Sequence, residues 1–146
     1  GIKYLQSLTK PVFDAVLLDA PCSATGTIRR HPELVHIKNA ADIKKQCRLQ
    51  KEFLSCVGKA LKIGGTLIYC VCSAAKDEGE RQIQDFLQTS PEFKNLPVSA
   101  SELELNPTGE LEEIITPEGY IRTLPSHLQN DGGCDSFFIA RLQKVK

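Results

Sequence analysis

Two cysteines occupy similar positions in the sequence, each directly after a run of strand-forming residues and each followed by serine. The segment DAPCS (19–23) contains Cys22, and YCVCS (69–73) contains Cys72. A thiolate is a strong nucleophile, and a free thiol with a pKa of about 8.5 needs only modest help to ionise at neutral pH. The two segments therefore indicate thiol chemistry, with Asp19 as a nearby carboxyl group.

Three familiar uses of cysteine fit this sequence poorly. A protease-like nucleophile needs a histidine base, but no motif places His31, His36 or His127 beside either thiol. A redox pair usually has CxxC spacing, and zinc ligands come as CxxC pairs joined by a second pair or by histidines. The CVC at 70–72 is too tight for either pattern, so we expect no metal site.

Methylation of a pyrimidine at carbon 5 fits the residues better. Adding a thiolate to carbon 6 makes carbon 5 nucleophilic enough to attack a methyl donor, and an acid near ring nitrogen 3 helps that addition. A base must then remove the proton from carbon 5, and the thiol must leave. Asp19, Cys22 and Cys72 could supply this set of groups.

Hydrophobic patterning predicts the elements that position these residues. Strands are expected at 12–20, 66–73, 120–126 and 136–144. Helices are expected from Asp42 to a stop at Gly64-Gly65 and over 77–90, and an irregular excursion with one short strand is expected over 91–118.

This order of strands and helices is typical of the later part of an open α/β sheet. Ligands of such sheets bind beyond the carboxyl ends of the strands, which is where DAPCS and YCVCS lie. If the first two strands are neighbours, Cys22 and Cys72 face one crevice. Cys70 lies within the apolar run of its strand, so we expect Cys70 to be buried in the core.

Composition indicates one soluble domain of 146 residues, 41% hydrophobic and 25% charged. No apolar run reaches the roughly 20 residues of a membrane span, and the N-terminus lacks the apolar core of a signal peptide, so a cytoplasmic location without membrane contact is expected.

The net charge is zero, but basic and acidic residues are concentrated in different segments of the chain. Residues 28–62 carry nine Lys or Arg against three Asp or Glu, whereas 77–118 carry two against eleven. The basic segment could attract phosphates.

Several longer stretches closely resemble the Sun (Fmu) family of RNA cytosine carbon-5 methyltransferases, whose bacterial members methylate 16S ribosomal RNA. They are FDAVLLDAPCSATGTIRRHPEL, LKIGGTLIYCVCS, DEGE, RTLPS and DSFFIARLQK, in this order over nearly the whole chain. The resemblance implies the C-terminal half of a Rossmann-like, S-adenosylmethionine-dependent methyltransferase sheet, mostly parallel with a late antiparallel strand. It also implies ribosomal RNA as the partner.

The resemblance further implies roles for individual residues. Cys72 corresponds to the family's nucleophile, and Cys22 to the cysteine that aids product release and proton handling. Asp19 and Pro21 correspond to the pocket for S-adenosylmethionine and cytosine. The residues expected to meet RNA are Arg29, Arg30 and His31.

Two alternatives remain open from the sequence. DNA cytosine methyltransferases use the cysteine of a Pro-Cys motif as nucleophile, which would assign that role to Cys22. A non-catalytic fragment that binds RNA or a partner chain is the other alternative. A plain α/β domain with structural cysteines is disfavoured by the ordered set of motifs.

Residues 1–146 are expected to form a partial methyltransferase domain. The first residues contain no GxGxG-like turn of the kind that binds the cofactor, and the N-terminal cofactor-binding strands and N-terminal RNA-binding domain of the family are missing. A sheet without its first strands leaves an exposed edge, so self-association is expected.

Overall fold

A computed structural model describes residues 1–103 and 113–146. The helices are α1 (Ile2–Ser7), α2 (Leu34–Ile37), α3 (Ala40–Ala60) and α4 (Glu80–Thr89). The strands are β1 (Phe13–Asp19), β2 (Leu61–Val71), β3 (Phe93–Asn95), β4 (Ile121–Thr123) and β5 (Phe137–Lys144). Residues 104–112 of the expected excursion lie outside the described residues, and β3 is the short strand expected there.

The five strands form one sheet in the order β1–β2–β5–β3, and β4 pairs with β5 beside β3. β1 and β2 are parallel, with Val16 opposite Leu67 and Asp19 opposite Cys70. β5 is antiparallel to β2, β3 and β4. The expected α/β sheet with a late antiparallel strand is thus confirmed, and within the described residues its parallel part is the pair β1–β2.

The core lies between the sheet and the two longer helices. Alternate residues of the central strand β2, Leu67, Tyr69 and Val71, are fully buried. They belong to one apolar cluster with Leu54 of α3 and Ile83 of α4. Because successive strand residues point to opposite faces, this alternation shows that α3 and α4 cover the same face of the sheet. In residues 1–103 and 113–146, none of the helices is long and apolar enough to cross a membrane.

The expected stop of α3 at Gly64-Gly65 is wrong, because α3 ends at Ala60 and β2 begins at Leu61. The glycines lie in an irregular part of β2, where Phe13 pairs with Leu61 but Ala15 pairs with Thr66. Helix ends leave unpaired carbonyl groups, and Lys144 supplies a partner here. Its Nζ donates to the carbonyl oxygens of Gly58 (2.7 Å) and Leu61 (2.9 Å).

The start of α3 is two residues earlier than the apolar pattern indicates. Asn39 precedes the helix and accepts hydrogen bonds from the backbone N–H groups of Ala41 and Asp42, while Asp42 accepts from the Asn39 N–H. This reciprocal capping satisfies donors that the first turn would otherwise leave free.

Candidate active site

The two cysteine loops meet where β1 and β2 end. Because these strands are parallel neighbours, their carboxyl ends point in the same direction. The Sγ atoms of Cys22 and Cys72 are 3.4 Å apart, and both side chains are partly buried. The ends of the two strands thus bring together two thiols that lie 50 residues apart in the sequence, as expected.

A buried carboxylate, Glu78, joins the two loops. Its side chain is 0% exposed. Oε2 accepts hydrogen bonds from the hydroxyl groups of Ser23 (2.5 Å) and Ser73 (2.6 Å). Oε1 accepts from the backbone N–H of Ser23 (2.9 Å) and from Nε2 of Gln50 (3.1 Å). The serines that follow the two cysteines therefore bind the same carboxylate.

Two further hydrogen bonds fix the backbone of Glu78 and the turn before Cys22. The hydroxyl group of Tyr69 donates to the carbonyl oxygen of Glu78 (2.7 Å). Nε2 of Gln50, a fully buried residue of α3, also donates to the carbonyl oxygen of Pro21 (2.9 Å). The turn at Pro21 is therefore held by α3, and Glu78 is held from both its backbone and its side chain.

Gly26 allows the two loops to approach the last strand. Its N–H donates to the carbonyl oxygen of Cys72 (3.0 Å), and its own carbonyl oxygen accepts from the N–H of Ser136 (2.9 Å). A Cβ atom at this position would lie 2.0 Å from the Ser136 carbonyl oxygen. Only glycine fits this approach of backbone to backbone.

The surroundings of Cys22 favour its protonated form. Burial raises the pKa of the Cys22 thiol to about 12, and its contact with Cys72 and the negative charge of Glu78 act in the same direction, against a hydrogen bond from the Ala24 backbone. A buried thiol is costly to ionise because the thiolate loses its hydration. The Cys22 thiol therefore keeps its proton at neutral pH.

Asp19 is exposed at the end of β1 and faces the thiol of Cys70 across the strand pair. The Sγ atom of Cys70 lies 3.8 Å from Oδ1 of Asp19 and 3.7 Å from the carbonyl oxygen of Leu18. Burial, followed by the charge of Asp19, raises the pKa of Cys70 to about 11. Cys70 is buried, as expected from its place on the strand, whereas the Asp19 carboxylate is open to a ligand.

The expected RNA-binding residues are partly engaged within the chain. Arg30 donates from Nε to Oδ2 of Asp135 (2.7 Å), and Nε of Arg29 lies 3.6 Å from Oδ1. This pairing lowers the pKa of Asp135, chiefly through the hydrogen bond from Arg30. His31 lies 3.2 Å from Glu33. All three expected residues keep exposed surface, but Asp135 offsets part of the positive charge of Arg29 and Arg30.

An ion pair fixes the segment that carries Glu78. Arg122 of β4 donates to both carboxylate oxygens of Glu80, from Nε (3.0 Å) and from a terminal nitrogen (2.6 Å). Its other terminal nitrogen donates to the carbonyl oxygen of Ser73 (2.6 Å). Arg122 therefore links β4, the start of α4 and the second cysteine loop.

Sequence reasoning found the two thiols and missed the residues that hold them, chiefly Glu78, Gln50 and Arg122. DEGE stands at the start of the helix expected over 77–90, where acidic residues are common because they complement the helix dipole. The available signal was the repetition of serine after each cysteine, because two hydroxyl groups in facing loops need a shared partner when they are buried.

Comparisons with known proteins agree with this geometry. The pattern of the family described as 16S rRNA methyltransferase RsmB/F matches residues 2–143. Ribosomal RNA small subunit methyltransferase B of Cronobacter sakazakii is 40% identical over 132 residues, which are 90% of this chain and 26% of that protein. The protein of the same name from Salmonella paratyphi B is 50% identical over 80 residues, which are 55% of this chain and 19% of that protein. The chain thus spans about a quarter of the length of the first of these relatives.

Two solved structures from Pyrococcus horikoshii share the fold. NSun6 with SFG has a TM-score of 0.75 and 27% identity, covering 100% of this chain and 33% of NSun6. A methyltransferase homolog protein has a TM-score of 0.68 and 29% identity, covering 97% of this chain and 42% of that chain. These findings confirm the resemblance to the Sun family in its bacterial 16S form. Since the family pattern spans nearly every residue from the first helix to the last strand, the chain belongs to the 16S rRNA methyltransferase RsmB/F family.

Proposed function

We propose that the protein carrying this chain methylates carbon 5 of a cytosine in ribosomal RNA, through a covalent bond between Cys72 and carbon 6. The observation that carries the proposal is the 3.4 Å contact between the Sγ atoms of Cys22 and Cys72 at the ends of two parallel strands. One ring must meet a nucleophile and further acid–base groups in a single crevice, and this pair supports such an arrangement.

The environment of Cys22 favours Cys72 as the nucleophile. Because burial raises the pKa of Cys22 to about 12, a thiolate is disfavoured at Cys22. The S–H of Cys22 lies in contact with the sulfur of Cys72 and can donate to it. In the attack, the Cys72 sulfur forms a bond to carbon 6 as the double bond between carbons 5 and 6 opens, and carbon 5 can then take up a methyl group. Once carbon 5 carries the methyl group, a base removes its proton and the electrons of that C–H bond re-form the double bond. The bond between carbon 6 and the Cys72 sulfur breaks at the same time, and the S–H of Cys22 stabilises the departing thiolate.

Asp19 and Pro21 are the residues of this chain that would contribute to a site for S-adenosylmethionine, which supplies the methyl group when bound. NSun6 was solved with SFG, an analogue of this cofactor. The exposed carboxylate of Asp19 at the end of β1 suits a ligand that carries a cationic amino group. The Pro21 turn, held by Gln50, shapes the edge of the same crevice.

RNA would reach the thiols as a flipped cytosine from a single-stranded region, since enzymes that modify a base take it out of the stack. Arg29, Arg30 and His31 follow the Cys22 loop and keep exposed surface, the two arginines beside Asp135 and the histidine beside Glu33. In this proposal a phosphate group competes with Asp135 for the two guanidinium groups.

The test is adduct formation by cysteine variants of the full-length protein with its RNA substrate and S-adenosylmethionine. Cys72→Ala is expected to abolish methylation and to form no adduct, because it removes the sulfur that bonds to carbon 6. Cys22→Ala is expected to accumulate an RNA–protein adduct that survives denaturing electrophoresis, because release is blocked. Cys56→Ala, on the helix α3, is the control and should behave as wild type.

The opposite pattern would reverse the two roles. An adduct in Cys72→Ala with none in Cys22→Ala assigns the nucleophile to Cys22. Absence of methylation and adduct in the wild-type protein with every ribosomal RNA fragment tested would overturn the proposed function.

A further inference from the structure

Glu78 is a buried negative charge whose four hydrogen bonds come from neutral groups. Burying a charge is costly unless hydrogen bonds replace its hydration. A carboxylate offers about four lone-pair sites, and four donors occupy them here: the N–H and hydroxyl groups of Ser23, the hydroxyl group of Ser73 and the amide of Gln50. The fold thus places a carboxylate that is costly to bury at the junction of the two cysteine loops.

The donors belong to the residues next to the two cysteines. Ser23 follows Cys22 and Ser73 follows Cys72, and both hydroxyl groups meet at a single oxygen of Glu78. Fixing a serine also fixes the backbone of the cysteine before it. We infer that Glu78 is a positioning residue that holds the Cys22 and Cys72 thiols in contact by binding the serine that follows each of them.

This inference rests on the proposed function only for its effect on methylation. The contact between the thiols is a property of the chain without any substrate. The charge of Glu78 has a second effect, because it disfavours a neighbouring thiolate at Cys22. Glu78 therefore has two effects: its hydrogen bonds hold the loops, and its charge raises the pKa of Cys22. Different substitutions at Glu78 distinguish these effects.

Glu78→Gln removes the charge and keeps the shape. The amide oxygen of glutamine can accept from the Ser23 N–H and from Gln50, and its amide nitrogen can donate to the two serine hydroxyl groups, which also accept hydrogen bonds. Glu78→Ala removes all four hydrogen bonds and leaves the buried N–H of Ser23 without its acceptor. The Ser23 and Ser73 hydroxyl groups keep their contacts with each other and with Thr25. Asp77→Asn is the matched control, because Asp77 is the preceding residue and its carboxylate pairs with Arg81 at the surface.

The contact between the thiols is measured by cross-linking with dibromobimane, a short reagent that joins two cysteines. The full-length protein is treated, digested and analysed by mass spectrometry for the peptide that links Cys22 and Cys72. Wild type, Asp77→Asn and Glu78→Gln are expected to give similar yields. Glu78→Ala is expected to lower the yield by about tenfold relative to wild type while keeping the circular dichroism of a folded protein.

An unchanged yield in Glu78→Ala overturns the inference. Should this variant fail to fold, Ser73→Ala and Ser23→Ala each remove one attachment and leave the carboxylate in place. Each is then expected to lower the yield several-fold, and wild-type yields in both would overturn the inference as well.

The effect of charge is measured by the pH dependence of Cys22 alkylation with iodoacetamide. Glu78→Gln should label Cys22 faster than wild type at about pH 9, because removing a neighbouring negative charge lowers the pKa of the thiol. A purely structural role for Glu78 would not shift this profile. Equal profiles would remove the electrostatic part of the inference.

Methyl transfer by the same proteins separates this inference from the proposed function. If both hold, Glu78→Ala loses methylation in parallel with cross-linking, while its affinity for RNA is unchanged. If the wild-type protein cross-links in a Glu78-dependent manner but methylates no RNA, the positioning role stands and the proposed function fails. If Glu78→Ala methylates normally and cross-links normally, the positioning role fails alone.

Discussion

Serine follows cysteine in both loops because the two hydroxyl groups share one acceptor. Each serine lies too deep in the protein for water to satisfy it, and Oε2 of Glu78 serves both. Under the proposed function the thiols are the reactive groups, and under the further inference their neighbours in the chain set the distance between them. The sequence indicates which residues are candidates for reaction. It does not indicate which carboxylate aligns them, since Glu78 resembles any other acidic residue of its segment.

The raised thiol pKa values predict how stability depends on pH. Burial raises the pKa of Cys22 from 9.0 to about 12 and that of Cys70 to about 11, and burial also raises the pKa of Tyr69. A group whose pKa is higher in the folded state keeps its full contribution below the unfolded-state pKa. Above that value the unfolded chain ionises first, so the free energy of unfolding falls as pH rises from 9 toward 12.

Urea denaturation at a series of pH values from neutral to alkaline measures this dependence. Cys22→Ala should flatten part of the alkaline decline, because it removes one of the groups responsible. Cys134→Ala is the control and should leave the slope unchanged. A free energy of unfolding that stays constant over the alkaline range would show that these groups titrate equally in both states.

At the level of elements, the strands were easier to predict than the points where helices end. The apolar runs at 12–20 and 136–144 are long enough to identify β1 and β5 directly. The end of α3 depends on Lys144, which lies 83 residues beyond Leu61 and caps the helix through tertiary contact. No local pattern reports such a contact, so the sequence indicates a stop at the nearby Gly64-Gly65 instead.

The ion pair between Arg122 and Glu80 should contribute more to stability than the one between Arg81 and Asp77. The side chains of the first pair are 11% and 18% exposed, and those of the second are 66% and 55% exposed. Arg122→Ala leaves the partly buried Glu80 carboxylate and the Ser73 carbonyl group without this donor. It should lower the free energy of unfolding by about 3 kcal/mol, the lower end of the range for breaking a buried ion pair. Arg81→Ala should change it little, because water screens an exposed pair.

Thermal or urea unfolding of both variants measures the difference. The guanidinium group of Arg122 also lies 4.8 Å from the centre of the Phe138 ring. Arg122→Lys keeps a cation there but loses the bidentate hydrogen bonding to Glu80. This variant should fall between wild type and Arg122→Ala. Equal stability of Arg122→Ala and Arg81→Ala would refute the ranking.

Across the whole molecule, the sequence predicted the charge split but not how the charges meet. Residues 28–62 are basic, yet Arg29 and Arg30 lie against Asp135, about a hundred residues away. The fold class and the proximity of the two thiols followed from hydrophobic patterning and from the place of the motifs at strand ends. The pairing of distant charges depends on loop paths, which patterning does not specify.

β1 is expected to drive self-association of the 146-residue chain. It ends the sheet among the described strands, and its Leu17 side chain is 69% exposed. An open strand edge with apolar side chains favours pairing with another copy. Sedimentation velocity should show a concentration-dependent species larger than the monomer, and Leu17→Lys should reduce it, because charge at a strand edge opposes pairing.

Val35→Lys is the matched control. Val35 is 61% exposed but lies on the short helix α2, away from the strand edge. It should leave self-association unchanged if the edge of β1 is responsible. A monomer at all concentrations, or an equal effect of both substitutions, would contradict this prediction.

The contact between the two sulfur atoms has a consequence for how a substrate enters. At 3.4 Å the sulfur atoms touch, so a pyrimidine ring cannot lie between them until they part. Under the proposed function, part of the free energy of RNA binding must go into separating the thiols before the ring reaches either one. Phosphate contacts remote from the ring can supply that energy. A free nucleoside lacks those contacts, so the closed thiol pair would select a base that arrives attached to its RNA.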